Sequence, residues 1–354
     1  MSRFFIYLFS FLFASVLALA APKKGVSAPD DDADDAFEDV IEELPGDNFL
    51  NSWPTETKLA EKLPAKTVKD GPDEWVYETK HFQFHSNAPI AISTIKQIAT
   101  IFEGTYVANL SLPLNAPCNY YQVAESGKYQ AQLYETMEQY KASGAPDGSA
   151  GYYRGNGDLS AGKTHVPFQS LGLEKAGKKY VRGGRKVDSK TLVHEITHHM
   201  TLGSWTIPAP LWYKEGYAEY VGCSPYNNGR INFKNNVKGL AAQLSNRLSG
   251  QKVFMAPMTL KAFMRQSDGE FMSRDNVQFN YGMSMALFYY FCHCDGKRDA
   301  AKLKSYIKAL QEGETPEKAE ERLLAGRSWN AFQKEVSKAI KSKLKITITF
   351  PNEK

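Results

Sequence analysis

The sequence predicts an α+β fold in two lobes. The N-terminal lobe should hold a small mixed sheet and one motif-bearing helix; the C-terminal lobe should be mainly α-helical. Three observations lead there. Aromatic, partly alternating segments concentrate between residues 75 and 168. Helix-period spacing dominates after residue 188. Two short segments, "HEITH" at 194–198 and "LWYKEGYAEY" at 211–220, carry imidazoles and acids at helical spacing. With 354 residues, 42% hydrophobic and 23% charged, the chain can build one large domain or two lobes.

The first residues are read apart from the fold. Arg3 precedes an apolar run from Phe4 to Leu19, and Ala18-Leu19-Ala20 fits a small-x-small cleavage site. Residues 1–20 therefore read as a signal peptide cut after Ala20, and the mature protein as secreted or periplasmic. The run is shorter than the ~20 residues of a spanning helix, so no stable membrane span is expected after cleavage. No cysteine lies near the site, which argues against a lipid anchor. Residues 21–70 read as an acidic, disordered leader or linker, because "PDDDADDAFEDVIEE" holds nine acids and few apolar residues.

The formal net charge is +4 even with that acidic run, so the remainder is basic and suited to anionic surfaces or acidic substrates. No nucleic-acid-binding module is present, and no nucleic-acid partner is expected. Cys118, Cys223, Cys292 and Cys294 read as disulfide or core cysteines. Cys292-His293-Cys294 is a poor metal site, since helix positions two apart point about 200° apart.

The N-terminal lobe is placed at 71–205. "WVYETKHFQFHS" (75–86) reads as a strand, and "PIAISTIKQIATIFEGTYVANL" as a helix with Ile92, Ile95, Ile98 and Phe102 on one face. "YYQVAE" and "YQAQLYET" read as further strands, and the Gly-rich stretch 144–168 as short strands and loops. His81, His85 and His165 read as surface or packed residues, since none has a second ligand at helical spacing. The helical lobe is placed at 206–354. Thr315-Pro316 and Ser328 are expected to start two of its helices.

The motif helix should begin at Asp188 or Ser189 and run through Met200, with Leu192 and Ile196 facing a core. His194 and His198 are four apart, so their Cβ atoms lie about 5–6 Å from each other on one helix face. Two imidazoles so placed can grip one zinc ion. Glu195 can reach a metal-bound water rather than the metal. His199 is turned about 100° from His198 and reads as a supporting or packing residue. Together these residues form His-Glu-x-x-His, a zinc-hydrolase motif. Zinc needs a third protein ligand and one open position. After a break at Gly203, Pro208 and Pro210, a second helix offers Glu215 and Glu219, four apart. No histidine lies between 199 and 293, so a carboxylate is the better third ligand. By spacing alone either glutamate qualifies. The other could orient His194 through its second ring N–H.

"HEITH" followed by "PLWYKEGYAEY" resembles the gluzincin metallopeptidases, and within them bacterial exported peptidase-MA-like domains. "HFQFHSN", "SAGYYRG", "YGMSMALFYYF" and the region ending near "LLAGRSWNAFQKEV" agree more loosely, so the likeness spans roughly residues 75 to 342. The resemblance implies a zincin-like fold and one Zn2+ ion held by His194, His198 and Glu215. It implies Glu195 as general base and Tyr281 as a donor to the oxyanion, which leaves Glu219, one turn after Glu215, in the supporting place beside His194. The implied activity is hydrolysis of peptide bonds in a peptide or protein substrate through a zinc-activated water. The spacer to the third ligand is shorter than in the aminopeptidase branch, so that label is not carried over. Two alternatives stand beside this expectation: a non-catalytic zinc-binding structural or interaction protein, and a zinc amidase acting on cell-wall or other non-protein amides. Oligomeric state is not legible.

Overall fold

The computed structural model of the protein describes residues 53–59, 63–114, 127–155, 162–184, 187–201, 209–297 and 299–352. The signal peptide, the acidic run, the strand expected at 120–125, Cys118, Gly203 and Pro208 lie outside the described residues. The fold is mixed α/β, 46% helical and 19% strand, with a small mixed sheet and several helices. The chain divides into two compact units. Counting described residues, the first holds 59, 63–103, 127–155, 162–184 and 187–199. The second holds 53–58, 104–114, 200–201, 209–297 and 299–352. The division falls after His199, against an expected boundary after residue 205.

Strand β1 (Glu56–Lys58) belongs to the second unit. The first unit is built on β2 (Lys66–Asp70), β3 (Trp75–Glu78), β4 (Phe82–Ser86), β5 (Tyr129–Tyr134), β6 (Tyr152–Arg154) and β7 (Lys163–Pro167). They form one sheet in the order β2-β3-β4-β5-β7-β6. The β4–β5 and β5–β7 pairs are parallel, and the remaining pairs are antiparallel, which makes the sheet mixed. Parallel β4 and β5 need a crossover, and α1 (Ile92–Ser111) lies between them in sequence. Phe82 and Phe84 point from β4 onto Phe102 of this helix, with ring centroids 5.2 and 5.0 Å away. Short α2 (Met137–Ala142) starts at a Thr136–Gln139 capping box. The hairpin of β8 (Leu173–Ala176) and β9 (Lys179–Arg182) leads to the motif helix α3 (Ser189–Met200).

Two expectations are corrected here. The stretch 75–86 is a hairpin rather than one strand. The carboxylate of Glu103 pins its turn, accepting from Thr79 Oγ1 (2.7 Å) and His81 N (2.9 Å) and meeting His81 Nδ1 at 2.6 Å. Likewise, β1 and β2 lie inside the stretch 21–70 expected to be unstructured. β2 is exposed at all five residues, so its "KTVKD" carries no apolar alternation to mark it.

In the second unit, α4 (Leu211–Cys223) is buried at every residue. After it come β10 (Tyr226–Asn227), β11 (Arg230–Asn232) and α5 (Val237–Arg247). Then follow β12 (Val253–Met255), α6 (Leu260–Met264), α7 (Asp268–Phe271) and α8 (Val277–His293). Last come α9 (Ala301–Gln311), α10 (Pro316–Leu324), α11 (Trp329–Leu344) and β13 (Thr347–Thr349). α10 and α11 start where expected, with Thr315 and Ser328 accepting from Lys318 N and Ala331 N. Strand β1 completes a small sheet in the order β1-β11-β10. Nearly all of α8 is buried as well. A helix buried on all sides has no polar stripe to show, and its sequence reads as a continuous apolar run.

α4 comes close to α8 at Gly216. A Cβ there would lie 2.6 Å from the carbonyl oxygen of Ser284. That neighbour is backbone, which no rotamer change can move aside. Gly216→Ala is therefore expected to destabilise the protein by about 1–3 kcal/mol, read as a lowered urea midpoint. An unchanged midpoint would mean that the helices can separate slightly at no cost. Among the described residues, no helix is long and apolar enough to cross a membrane.

Candidate metal centre

The motif helix α3 starts at Asp188, whose Oδ1 accepts from Thr191 N (3.1 Å) and whose Oδ2 accepts from Thr191 Oγ1 (2.6 Å). Leu192 and Ile196 are fully buried, as the apolar spacing requires. This fixes the rotation of the helix and hence the direction of its other faces. His194 and His198, one turn apart, have ring centroids 4.6 Å apart and nearly perpendicular rings, at 81°. Their Nε2 atoms are 3.0 Å apart. Both rings are buried.

Pro210, in extended conformation, precedes the first turn of α4, which carries Glu215 and Glu219. One ligand atom from each of His194, His198 and Glu215 falls within 4.8 Å of the others. All three side chains are buried, and among the described residues they form the group of three donors able to hold a metal ion. Two ring nitrogens and a carboxylate oxygen make a donor set suited to a transition metal, so the residues fit such an ion.

Glu219, one turn further along α4, sits among side chains of its own unit. Arg247 Nη2 donates to its Oε1 at 2.5 Å, and Gln243 Nε2 donates to its Oε2 at 3.1 Å. The Arg247 and Glu219 side chains are only 6% and 1% exposed, so this is a desolvated ion pair. The guanidinium also lies over the ring of Tyr281, 4.9 Å from its centroid. Tyr281 stands near the start of α8 and is buried, with Phe271 packed at 5.8 Å. Neither Arg247 nor Gln243 is marked in the sequence as a partner of Glu219, since both come more than 20 residues later.

Glu195 is fully buried and accepts a hydrogen bond on Oε2 from the backbone N–H of Tyr153, at 3.0 Å. His199 is four residues on, so it shares a helix face with Glu195. Its Nδ1 is 2.9 Å from Thr164 Oγ1. Its ring stacks on Tyr153 at 4.9 Å and meets Tyr129 edge-on at 5.1 Å. Burial pushes the His199 imidazole down to about 3, so it is neutral at ordinary pH. "HEITHH" thus interleaves two pairs with helical spacing: His194 with His198, and Glu195 with His199.

The remaining histidines are occupied elsewhere. His81 pairs with Glu103, and His85 Nδ1 meets Glu74 at 2.8 Å. His165 is sandwiched between Tyr152 and Tyr134, with centroids at 4.5 and 5.8 Å; burial, helped by Arg154 and Lys163, pushes it down to about 3. No disulfide links Cys223, Cys292 and Cys294 to one another; the first two are buried, in keeping with the core reading, and Cys294 is half-buried. His293 Nε2 is 2.7 Å from Tyr220 Oη and belongs to an aromatic cluster with Trp53.

No protein-family model matches the chain, and no curated protein is significantly similar to it. What fold and site define together is a mixed α/β protein with a buried His–His–Glu triad able to hold a metal ion.

Proposed function

We propose that the protein is an exported, zinc-dependent metallopeptidase of the gluzincin type, with a zincin-like fold and a peptide or protein as substrate. The single observation that carries this reading is the buried triad His194, His198 and Glu215, with Glu195 next to His194 on the same helix. A set of two imidazoles and one carboxylate is the three-ligand pattern of hydrolytic zinc sites, in which a fourth position stays open. When bound, zinc supplies Lewis-acid chemistry, polarising a water and the scissile carbonyl.

The chain's own residues carry the protons. Glu195 takes one from the attacking water and returns it to the leaving amine. Its carboxylate is oriented by the Tyr153 N–H, which donates to Oε2. Tyr281 donates a hydrogen bond to the developing oxyanion, with its ring steadied by the Arg247 guanidinium.

The deciding experiment is metal analysis of the mature protein with chelator-sensitive cleavage of a diverse peptide library. One zinc per chain is expected, with cleavage lost on chelation and recovered on adding zinc. Zinc without cleavage of any peptide would favour a non-catalytic zinc protein. Cleavage confined to cell-wall or other non-protein amides would favour an amidase.

A further inference from the structure

The interleaved pair Glu195/His199 carries a second consequence of the motif helix. We infer that His199 is a positioning residue for Glu195, acting through Tyr153 on the last described strand of the sheet. Its functional meaning rests on the reading of Glu195 as the proton carrier; the contact itself does not.

Among the described residues, β6 is the last strand of the sheet and pairs only with β7. Outward-facing N–H groups of an edge strand have no strand to bond. That of Tyr153 is taken by the Glu195 carboxylate. Tyr153 stands opposite Thr164 in the β6–β7 register, and the His199 ring engages both members of this cross-strand pair. It stacks on the Tyr153 ring and reaches Thr164 Oγ1 through Nδ1. Tyr129, on the other neighbour of β7, meets the ring from the side. One imidazole therefore touches β5, β7 and β6 in succession.

The contacts close on themselves. Glu195 holds the backbone of Tyr153, His199 holds its ring, and a single turn of α3 joins Glu195 to His199. Neither the strand nor the carboxylate can shift without disturbing the other. Simple packing does not account for the choice of histidine. The ring is fully buried, and its Nε2 has no hydrogen-bond partner among the described residues. A phenylalanine would fill the same space without removing ring nitrogens from water. What phenylalanine lacks is the bond to Thr164, which sets the angle of the ring against Tyr153.

The test uses the full chain and reads amide hydrogen exchange at Tyr153, with amides of β4 as internal reference. Glu195→Ala should speed exchange at Tyr153 about tenfold or more, as expected for loss of a hydrogen bond to a charged acceptor. His199→Phe and Thr164→Val should each speed it about threefold or more, with β4 unchanged. Thr164→Ser, which keeps the hydroxyl, should restore the wild-type rate. In parallel, His199→Phe should lower kcat severalfold at unchanged KM and zinc content. Tyr153 exchange that ignores Glu195→Ala would remove the contact and the inference with it. A response to Glu195→Ala but none to His199→Phe or Thr164→Val would reduce His199 to a space-filler. If the exchange responses appear while the wild type cleaves no amide substrate, the positioning device stands and the peptidase reading falls.

Discussion

Glu195→Gln is expected to lower kcat by about 10²–10⁴-fold while zinc content stays at the wild-type level. Glutamine keeps the length of the side chain and a carbonyl oxygen, which can still accept from the Tyr153 N–H. It cannot take a proton from water or hand one to an amine. The residues able to hold a metal are others, His194, His198 and Glu215, so a bound ion should remain. The measurement is steady-state cleavage of a peptide found with the wild type, beside metal analysis of both proteins. Full activity in a fully zinc-loaded Glu195→Gln protein would falsify the assignment of the proton carrier.

The second large effect concerns stability. Glu219→Ala should destabilise the protein by about 3–5 kcal/mol, because it leaves the Arg247 guanidinium buried without its counter-charge. Part of the loss should be recovered in the double variant Glu219→Leu/Arg247→Met. Replacing a whole buried pair by apolar side chains is far less costly than breaking it. Urea unfolding of the two single variants and the double variant gives the coupling directly. Zinc content should be little changed in the folded fraction of Glu219→Ala. Loss of zinc with an unchanged urea midpoint would instead make Glu219 a metal donor.

What could be read from the chain follows the reach of each interaction. The imidazole pair was legible because four residues on a helix always bring two side chains to one face, whatever the rest of the fold does. The starts of α10 and α11 were legible for the same reason, their caps spanning three residues. Spacing left Glu215 and Glu219 equivalent, since both lie on one face of α4. The difference between them comes from Arg247 and Gln243 on α5, 28 and 24 positions after Glu219. The hairpin at 75–86 was hidden in the same way, its turn being pinned by Glu103 from α1. Least legible is the contact made by Tyr153. Its donor is a backbone N–H, which every residue but proline possesses, so no residue type could have announced it.

The close approach at Gly216 bears on how the protein would take up an ion. Glu215 is the preceding residue, on a helix enclosed at every position and touching the backbone of α8. Such a helix has no slack to rotate or slide, so its acid is preorganised before any cation arrives. Within its own unit, loading should therefore leave this helix where it is, and stripped protein should keep its secondary structure.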